Sequence, residues 1–442
     1  MIIAWPTHNR AKSVLRSVKS FKNTNLKLNF FVSNTGESEL TPLFHSEHVE
    51  AELWEGESRD KWITLLKENC RRANVNPSLI DFALNPSAPK GVITTGANRN
   101  FLLLKLVGKK FISVDDDVVF EPRRLAPVEL GNALGATPGN PLSTFYFKDQ
   151  QSLNLLKEKS ERLKDEDFLS TQMQMLSFVQ SSQVCALSLC GYYGDSGFQS
   201  PRGVLSFDEQ SIHSLIKKDQ FQAALKSRLV WRVSDKVQAF KHSPAMLMCA
   251  GFSNDYELPP FFPMGRNQDG AYAYAVSACL SNALVGHLNF AIMHAPIEIR
   301  NYTEELPDLE MRMNDVMVLL WIEFLKKNAE KNYKNAGEFF LEFAQEKNFG
   351  ERLDSLISQH FSERKLRLEE KIKSLQLKDN DFYHDWIKLA VQEKALIGKA
   401  LEKSPNLLPI ETSSASLAAD WIRQYAELLL KWKEIRSIAQ GI

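Results

Sequence analysis

Strand-like and helix-like segments alternate through residues 1–122, and this alternation constrains the fold more than any other feature. A short apolar stretch, Ile2 to Trp5, is closed by Pro6. "AKSVLRSVKSF" then sets Val14, Leu15, Val18 and Phe21 at helical spacing, and "LNFFV" (Leu28 to Val32) returns to an extended pattern before the turn-rich "SNTGES". "HVEAELW" reads as a third strand, "KWITLLKENCRRA" as a helix, and "TTGANRNFLLLKLVG" as a helix with a threonine start and a glycine stop. That helix feeds the strand-like run "FISVDDDVVF", residues 111–120. A strand followed by a helix must cross back over the sheet before pairing again. The pattern therefore predicts an α/β fold, a Rossmann-like mixed but mostly parallel sheet flanked by helices.

After Pro122 the alternation loosens. Residues 151–182 read as a charged amphipathic helical stretch, "VCALSLCGYYGDSG" as an apolar run closing in a glycine-rich loop, and "AMLMCAGF" as another buried run. "DGAYAYAVSACLSNALVGH" reads as an alanine-rich helix, and "LNFAIMHAP" as a strand. Beyond about Thr303, strand patterns nearly vanish, and segments such as "DVMVLLWIEFLKKNAEK" and "LAADWIRQYAELLLKWKEI" are amphipathic helices. The expected division is a sheet-containing unit at 1–304, with halves at 1–122 and 123–304, and an all-helical domain at 305–442.

Charge and cysteine usage narrow the function classes. Lys+Arg and Asp+Glu both number 54 in 442 residues, so the chain lacks the overall basic balance that a nucleic-acid binder uses. The five cysteines are odd in number and widely spaced, in neither a zinc nor a disulfide pattern. No apolar run reaches the roughly 18 residues of a transmembrane helix, and "MIIAWPTHNR" turns polar at Thr7, too early for a cleavable leader. These features give the expectation of a cytoplasmic protein.

Asp115, Asp116 and Asp117 stand in a row at the end of an apolar run, where three carboxylates repel one another unless a cation lies among them. Ligands of open α/β sheets collect at the carboxyl ends of strands, near a switch in strand order. Pro6, Thr7, Asn9 and Arg10 follow the first strand, so the two strand tips would form one pocket if the strands are close. Carboxylate oxygens suit Mg²⁺ or Mn²⁺, which complete their shells with water and phosphate oxygens. A solvated acidic turn is the plain alternative.

The order and spacing of "PTHNR" (Pro6 to Arg10), "GANRN" (Gly96 to Asn100) and "VDDDVVFEPRRL" resemble the nucleotide-binding half of family-two glycosyltransferases of GT-A fold. The resemblance covers residues 1 to about 122, making 123–304 the acceptor half. It implies a nucleotide-sugar donor, with a UDP-sugar favoured, Mn²⁺ or Mg²⁺ as cofactor, and transfer with inversion. It also implies residue roles. Pro6, Thr7, Asn9 and Arg10 would shape the base and ribose pocket, Arg99 would sit near the nucleotide, and Asp115 would contact the ribose side. Asp117 would hold the metal, and Asp116 occupies the variable middle position. The chain departs from the family pattern at Ser33 and Asn34, where the family often carries an Asp.

"FFPMGRNQDGAYAYAV" is similar to the family segment in which an acidic residue opens a helix below the acceptor. That similarity makes Asp269 the implied general base, with a helix N-cap as the bland reading. Asp195 and Asp255 are the next candidates. His294, ending "LNFAIM", matches the placement of a further metal ligand, and His242 and His287 match less well. Two other readings stay open. "DDDVV" fits a haloacid-dehalogenase-like phosphatase with Asp115 as nucleophile and Asp117 as acid/base. A non-catalytic nucleotide-sugar-binding protein would use the helical domain for homo-oligomerisation or for a partner.

Overall fold

The computed structural model describes residues 1–442 apart from 22–25, 38, 131–141, 181, 218–219, 242, 244, 299 and 304. His242 and the domain boundary at residue 304 thus lie outside the described residues.

The strands are β1 (Ile2–Thr7), β2 (Asn29–Asn34), β3 (Glu52–Trp54), β4 (Lys110–Val114), β5 (Val118–Arg124), β6 (Leu142–Tyr146), β7 (Glu161–Arg162), β8 (Val179–Gln180), β9 (Gln183–Asp195), β10 (Leu229–Ser234), β11 (Gln238–Phe240), β12 (Cys249–Ser253) and β13 (Ala283–His294). They form one 13-stranded mixed sheet whose main path is β3-β2-β1-β4-β12-β9-β13-β5-β7. Parallel pairing runs through β3-β2-β1-β4 and recurs at β9–β13, whereas the other pairs are antiparallel. The alternating pattern of the first half thus gives a parallel sheet segment, and the second half pairs antiparallel except at β9–β13. β4 and β5, joined by the turn of Asp115 to Asp117, do not neighbour each other: β4 pairs with β1 and β12, and β5 with β13 and β7.

Several elements differ from the sequence expectation. β1 does not stop at Trp5. It pairs with β2 through Pro6 and Thr7, while its pairing with β4 ends at Ala4. On the β4 side the tip of β1 is an edge, where a proline without an N–H is tolerated. The glycine-rich "GYYGD" is strand, not loop, because Gly191 and Gly194 allow backbones to meet. A Cβ at Gly194 would lie 2.3 Å from the His294 carbonyl oxygen, and its φ is +108°. The helix opening at Gln268 ends at Cys279, and "ALVGH" belongs to β13. Short Ala/Leu/Val runs carry no period that separates the two states. Residues 151–182 hold two helices, Gln150–Lys159 and Asp165–Leu176, and two short strands.

From Met313 to Gln440 five helices follow, and the described residues there form no strand apart from an isolated bridge between Asn332 and Leu280. Asn332 and Ser414 cap two of them, accepting from the amides of Asn335 at 2.8 Å and Leu417 at 3.2 Å. Their apolar faces share one continuous core with the sheet's helices, including the fully buried Trp321, Trp386, Tyr425 and Trp432. Each such side chain contributes roughly 2–3 kcal/mol through burial. Trp432 Nε1 donates to the Leu258 carbonyl at 2.8 Å, and the Tyr425 hydroxyl donates to that of Pro260 at 2.9 Å. Buried Arg436 donates to Asn254 Oδ1 and to the Asn254 and Tyr256 carbonyls. Asn254 in turn donates to the carbonyls of Leu103 and Leu106, closing the helix Thr95–Lys105. The C-terminal helices thereby fix the element that carries "GANRN". Among the described residues, no helix is long and apolar enough to cross a membrane.

Candidate active site

The chain lays β1, β2 and β3 outward on one side and then places β4 on the other side of β1. The order reverses between β1 and β4, and the carboxyl ends of these two strands open a crevice. Thr7 closes β1 there, and Asp115 to Asp117 turn out of β4. The triplet turn is set by the backbone: the Asp115 N–H donates to the Met248 carbonyl at 2.7 Å, and the Val118 N–H donates to that of Asp115 at 3.1 Å.

Each aspartate meets a different partner. Thr7 Oγ1 donates to Asp116 Oδ2 at 2.7 Å, and one Arg10 nitrogen reaches Asp116 Oδ1 at 3.0 Å and Asp117 Oδ2 at 3.3 Å. Arg300 approaches Asp117 Oδ2 at 3.9 Å. His294, which ends β13 opposite Val118 of β5, sets its Nε2 3.2 Å from Asp117 Oδ1. Buried Arg99 donates to Asp115 Oδ1 at 2.9 Å and lies 3.5 Å from Asp269 Oδ1.

These surroundings split the carboxylates electrostatically. Burial pushes Asp115 up to about 8, with Asp269, Asp117 and Asp116 adding to the effect and Arg99 opposing it. Burial also raises Asp116, together with Asp117, against Arg10 and Thr7. For Asp117, burial is outweighed by the His294 hydrogen bond and charge and by Arg10 and Arg300, leaving it at about 2. Burial lowers His294, but its bond to Asp117 overcomes that and raises it.

His294 Nδ1 lies 2.6 Å from the Asp195 carbonyl oxygen, which only an N–H can satisfy. Nε2 and the Asp117 carboxylate therefore face each other with room for one proton or one cation between them. Metal-bound histidines are oriented in this way, by donating the other ring N–H to a carbonyl. No group of three or more His, Cys, Asp or Glu side chains able to hold a metal is assembled among the described residues. Asp117 and His294 fit Mg²⁺ or Mn²⁺ as a two-ligand set, because these ions commonly take only one or two protein ligands beside substrate phosphates.

Asp269 lies in the first turn of the helix Gln268–Cys279, but Asn267 occupies the cap position, in the left-handed region at φ 66°. Asp269 Oδ2 instead accepts the Leu247 N–H at 3.0 Å, while Oδ1 has no hydrogen-bond partner among the described residues. The N-cap reading of Asp269 is thus replaced by a tie to the segment before β12. Asp195 is clamped by two Arg228 bonds at 2.7 and 2.8 Å, and Asp255 does not line the cavity.

The crevice widens into a cavity of about 1220 Å³ lined by Pro6, Thr7, Arg10, the three aspartates, Asp269 and His294. Two expected residues stand apart from that surface. Asn9, at φ 55°, turns the chain from β1 into its first helix, and Arg99 lies behind Asp115 and Asp269. His287 is buried near Ser243, at 2.7 Å, away from the aspartates. Sequence reasoning missed Asn98, whose Nδ2 donates to the Thr7 and Ser33 carbonyls at 2.9 Å each, while Ser33 Oγ donates to its Oδ1. This one side chain holds the ends of β1 and β2 together and occupies Ser33, which stands where the family pattern often has an Asp. Arg266, Arg300 and Arg312 were missed too, having no motif to mark them. Arg266 is lowered first by burial, then by the charges of Arg312, Arg300 and Arg10, and all four line the same cavity, Arg10 and Arg300 at Asp117. No protein-family profile matches the chain, and no curated protein matches it.

Proposed function

We propose that the protein is a glycosyltransferase that takes its sugar from a nucleoside-diphosphate donor, with a UDP-sugar as the favoured class, and transfers it to an acceptor nucleophile with inversion. The observation that supports the reading is the 3.2 Å approach of His294 Nε2, at the end of β13, to Asp117 Oδ1, beside the β1/β4 switch point, a spacing that two ligands of one cation would take. The arginines over them supply the charge that a diphosphate requires.

In this reading Pro6, Thr7 and Arg10 bound the nucleoside side, with Asn98 locking the strand ends that present them. Arg10, Arg266 and Arg300 bind the diphosphate oxygens and offset the charge that grows as the sugar departs. A divalent cation held by Asp117 and His294 would add Lewis-acid stabilisation of the leaving diphosphate. Asp269 Oδ1 accepts the acceptor's proton, and its second oxygen stays fixed by the Leu247 amide. Arg99, between Asp115 and Asp269, limits the repulsion of two carboxylates in one buried site. A dehalogenase-like phosphatase would need Asp115 as a freely approaching nucleophile, and the Arg99 contact holds it against the helix start instead.

The test is release of nucleoside diphosphate from a panel of nucleotide-sugars, with Mn²⁺ and mixed acceptors. Metal-dependent release from one donor class supports the proposal. Absence of both release and donor binding across the panel overturns it.

A further inference from the structure

The far wall of the cavity comes from the 31-residue helix Phe349–Asp379. Five of its residues face the cavity: His360, Arg364, Arg367, Leu368 and Lys371. Their spacing of four, three, one and three puts them on a single helical stripe. The helix also carries Glu363, Glu369 and Glu370, and none of its carboxylates lines the cavity. Arg352, Lys365, Lys373 and Lys378 also lie off the cavity, so what sets the cavity face apart is that it holds three cations and none of the helix's carboxylates.

The compensation of these cations is incomplete. Arg364 pairs with fully buried Glu393, but Glu393 also accepts from Arg202 Nε at 2.8 Å, so one carboxylate serves two guanidinium groups. Among the described residues Arg367 pairs with Glu363 alone, at 3.7 Å and mostly in solvent. Lys371 Nζ donates to the Phe207 carbonyl at 2.6 Å and feels Asp208 and Glu209, yet Glu209 is already taken by Lys378. Arg202 and Arg367 both lower Arg364, after burial, so the cations act on one another. Asp308, Glu310 and Asp315 also line the cavity, and the Asp315 charge acts on His360 of the same stripe. Asp308 meets Lys399, and Asp315 meets Asn267 and the start of its own helix.

The two groups of arginines have different carboxylate partners: Arg10 and Arg300 meet Asp117, whereas Arg364 meets Glu393. The charges acting on Arg266 come from Arg312, Arg300 and Arg10, and those on Arg364 come from Glu393, Arg202 and Arg367. At about 1220 Å³ the cavity exceeds the roughly 300–1,000 Å³ of a single small-molecule pocket.

We propose that this helix forms a second anion subsite, and that the molecule docked there is an acceptor bearing a phosphate or carboxylate, held by Arg364, Arg367 and Lys371. Calling that molecule the acceptor rests on the glycosyltransferase reading; the anion subsite does not. A planar guanidinium pair recognises either oxyanion, so the shared chemistry is the oxyanion itself.

Calorimetry on the full chain tests it, using glucose 6-phosphate, glucuronate and neutral glucose as probes, each with Mn²⁺ and UDP present. At least one anionic probe should bind about tenfold or more tighter than glucose, as charge-assisted bidentate contacts allow. Arg367→Gln should remove most of that preference. Arg367 is exposed, so this variant keeps the fold, whereas Arg364→Gln would strand half of the Glu393 pairing. Glucose binding as well as both anions, or an anion preference untouched by Arg367→Gln, overturns the subsite. A preference lost in Arg300→Gln but kept in Arg367→Gln assigns the anion to the other cluster and also overturns it. UDP binding measured alone separates the two readings. An Arg367-dependent anion with no UDP binding keeps the subsite and removes the donor, whereas Asp117-dependent UDP binding without that anion does the reverse.

Discussion

Asn98→Ala probes the part of the site that fixes its geometry. Asn98 is 2% exposed and joins three groups on two strands: the Thr7 carbonyl, the Ser33 carbonyl and the Ser33 hydroxyl. The Thr7 carbonyl keeps a second donor, the Thr35 N–H at 3.2 Å, so it is not stranded by the change. The buried Ser33 hydroxyl loses its acceptor. Three net hydrogen bonds, one leaving a stranded partner, sum to about 3 kcal/mol. Urea unfolding should show a loss of that order with an unchanged m-value. Asn98→Asp sharpens the test, because it preserves shape but sets a carboxylate against two carbonyl oxygens. It should cost at least as much as alanine. A near-neutral Asn98→Asp, or an alanine variant within about 0.5 kcal/mol of wild type, would refute the tie between β1 and β2.

Three further expectations follow from the same geometry. Asp269→Asn keeps an oxygen for the Leu247 N–H but cannot take a proton, so turnover should fall by about 10²-fold or more with donor binding retained; near-normal turnover would make Asp269 structural. Burial pushes His287 down from 6.5 to about 4, so the stability it confers is complete above pH 6.5 and is lost as pH falls towards 4, by at most about 3 kcal/mol. Denaturant midpoints measured from pH 7 to 4 should slope less in His287→Asn, and identical slopes would contradict this. At Gly96 an added Cβ would sit 2.1 Å from the Phe262 carbonyl oxygen, so Gly96→Ala should destabilise by about 1–3 kcal/mol in thermal or urea unfolding, and a silent variant would count against the close contact.

The fold was legible where one physical constraint dominated. Period switching over residues 1–122 reported the parallel strands, and the row of three aspartates marked the turn out of β4. The antiparallel pairs of the second half were not legible, since β6, β10 and β11 are short and their pairing with distant strands leaves no local trace. At the site, Asp117, Thr7 and Arg10 were picked out by strand-end position and His294 through the family resemblance, and they meet around Asp116 and Asp117. Asn98 stood one residue before the singled-out Arg99, and nothing local showed that its amide spans two strands. Arg364, Arg367 and Lys371 lie in a helix that reads as an ordinary charged amphipath, because the cavity they face is built from residues far away in sequence.

The account rests on a nucleoside diphosphate held at the switch-point carboxylates through a divalent cation. Calorimetric titration of UDP into the full chain, with Mn²⁺ and then with EDTA, measures this directly, and Asp117→Ala serves as the control. The account predicts much tighter binding with Mn²⁺ in the wild type and no such difference in Asp117→Ala. Equal UDP affinity with and without the metal in the wild type would contradict it.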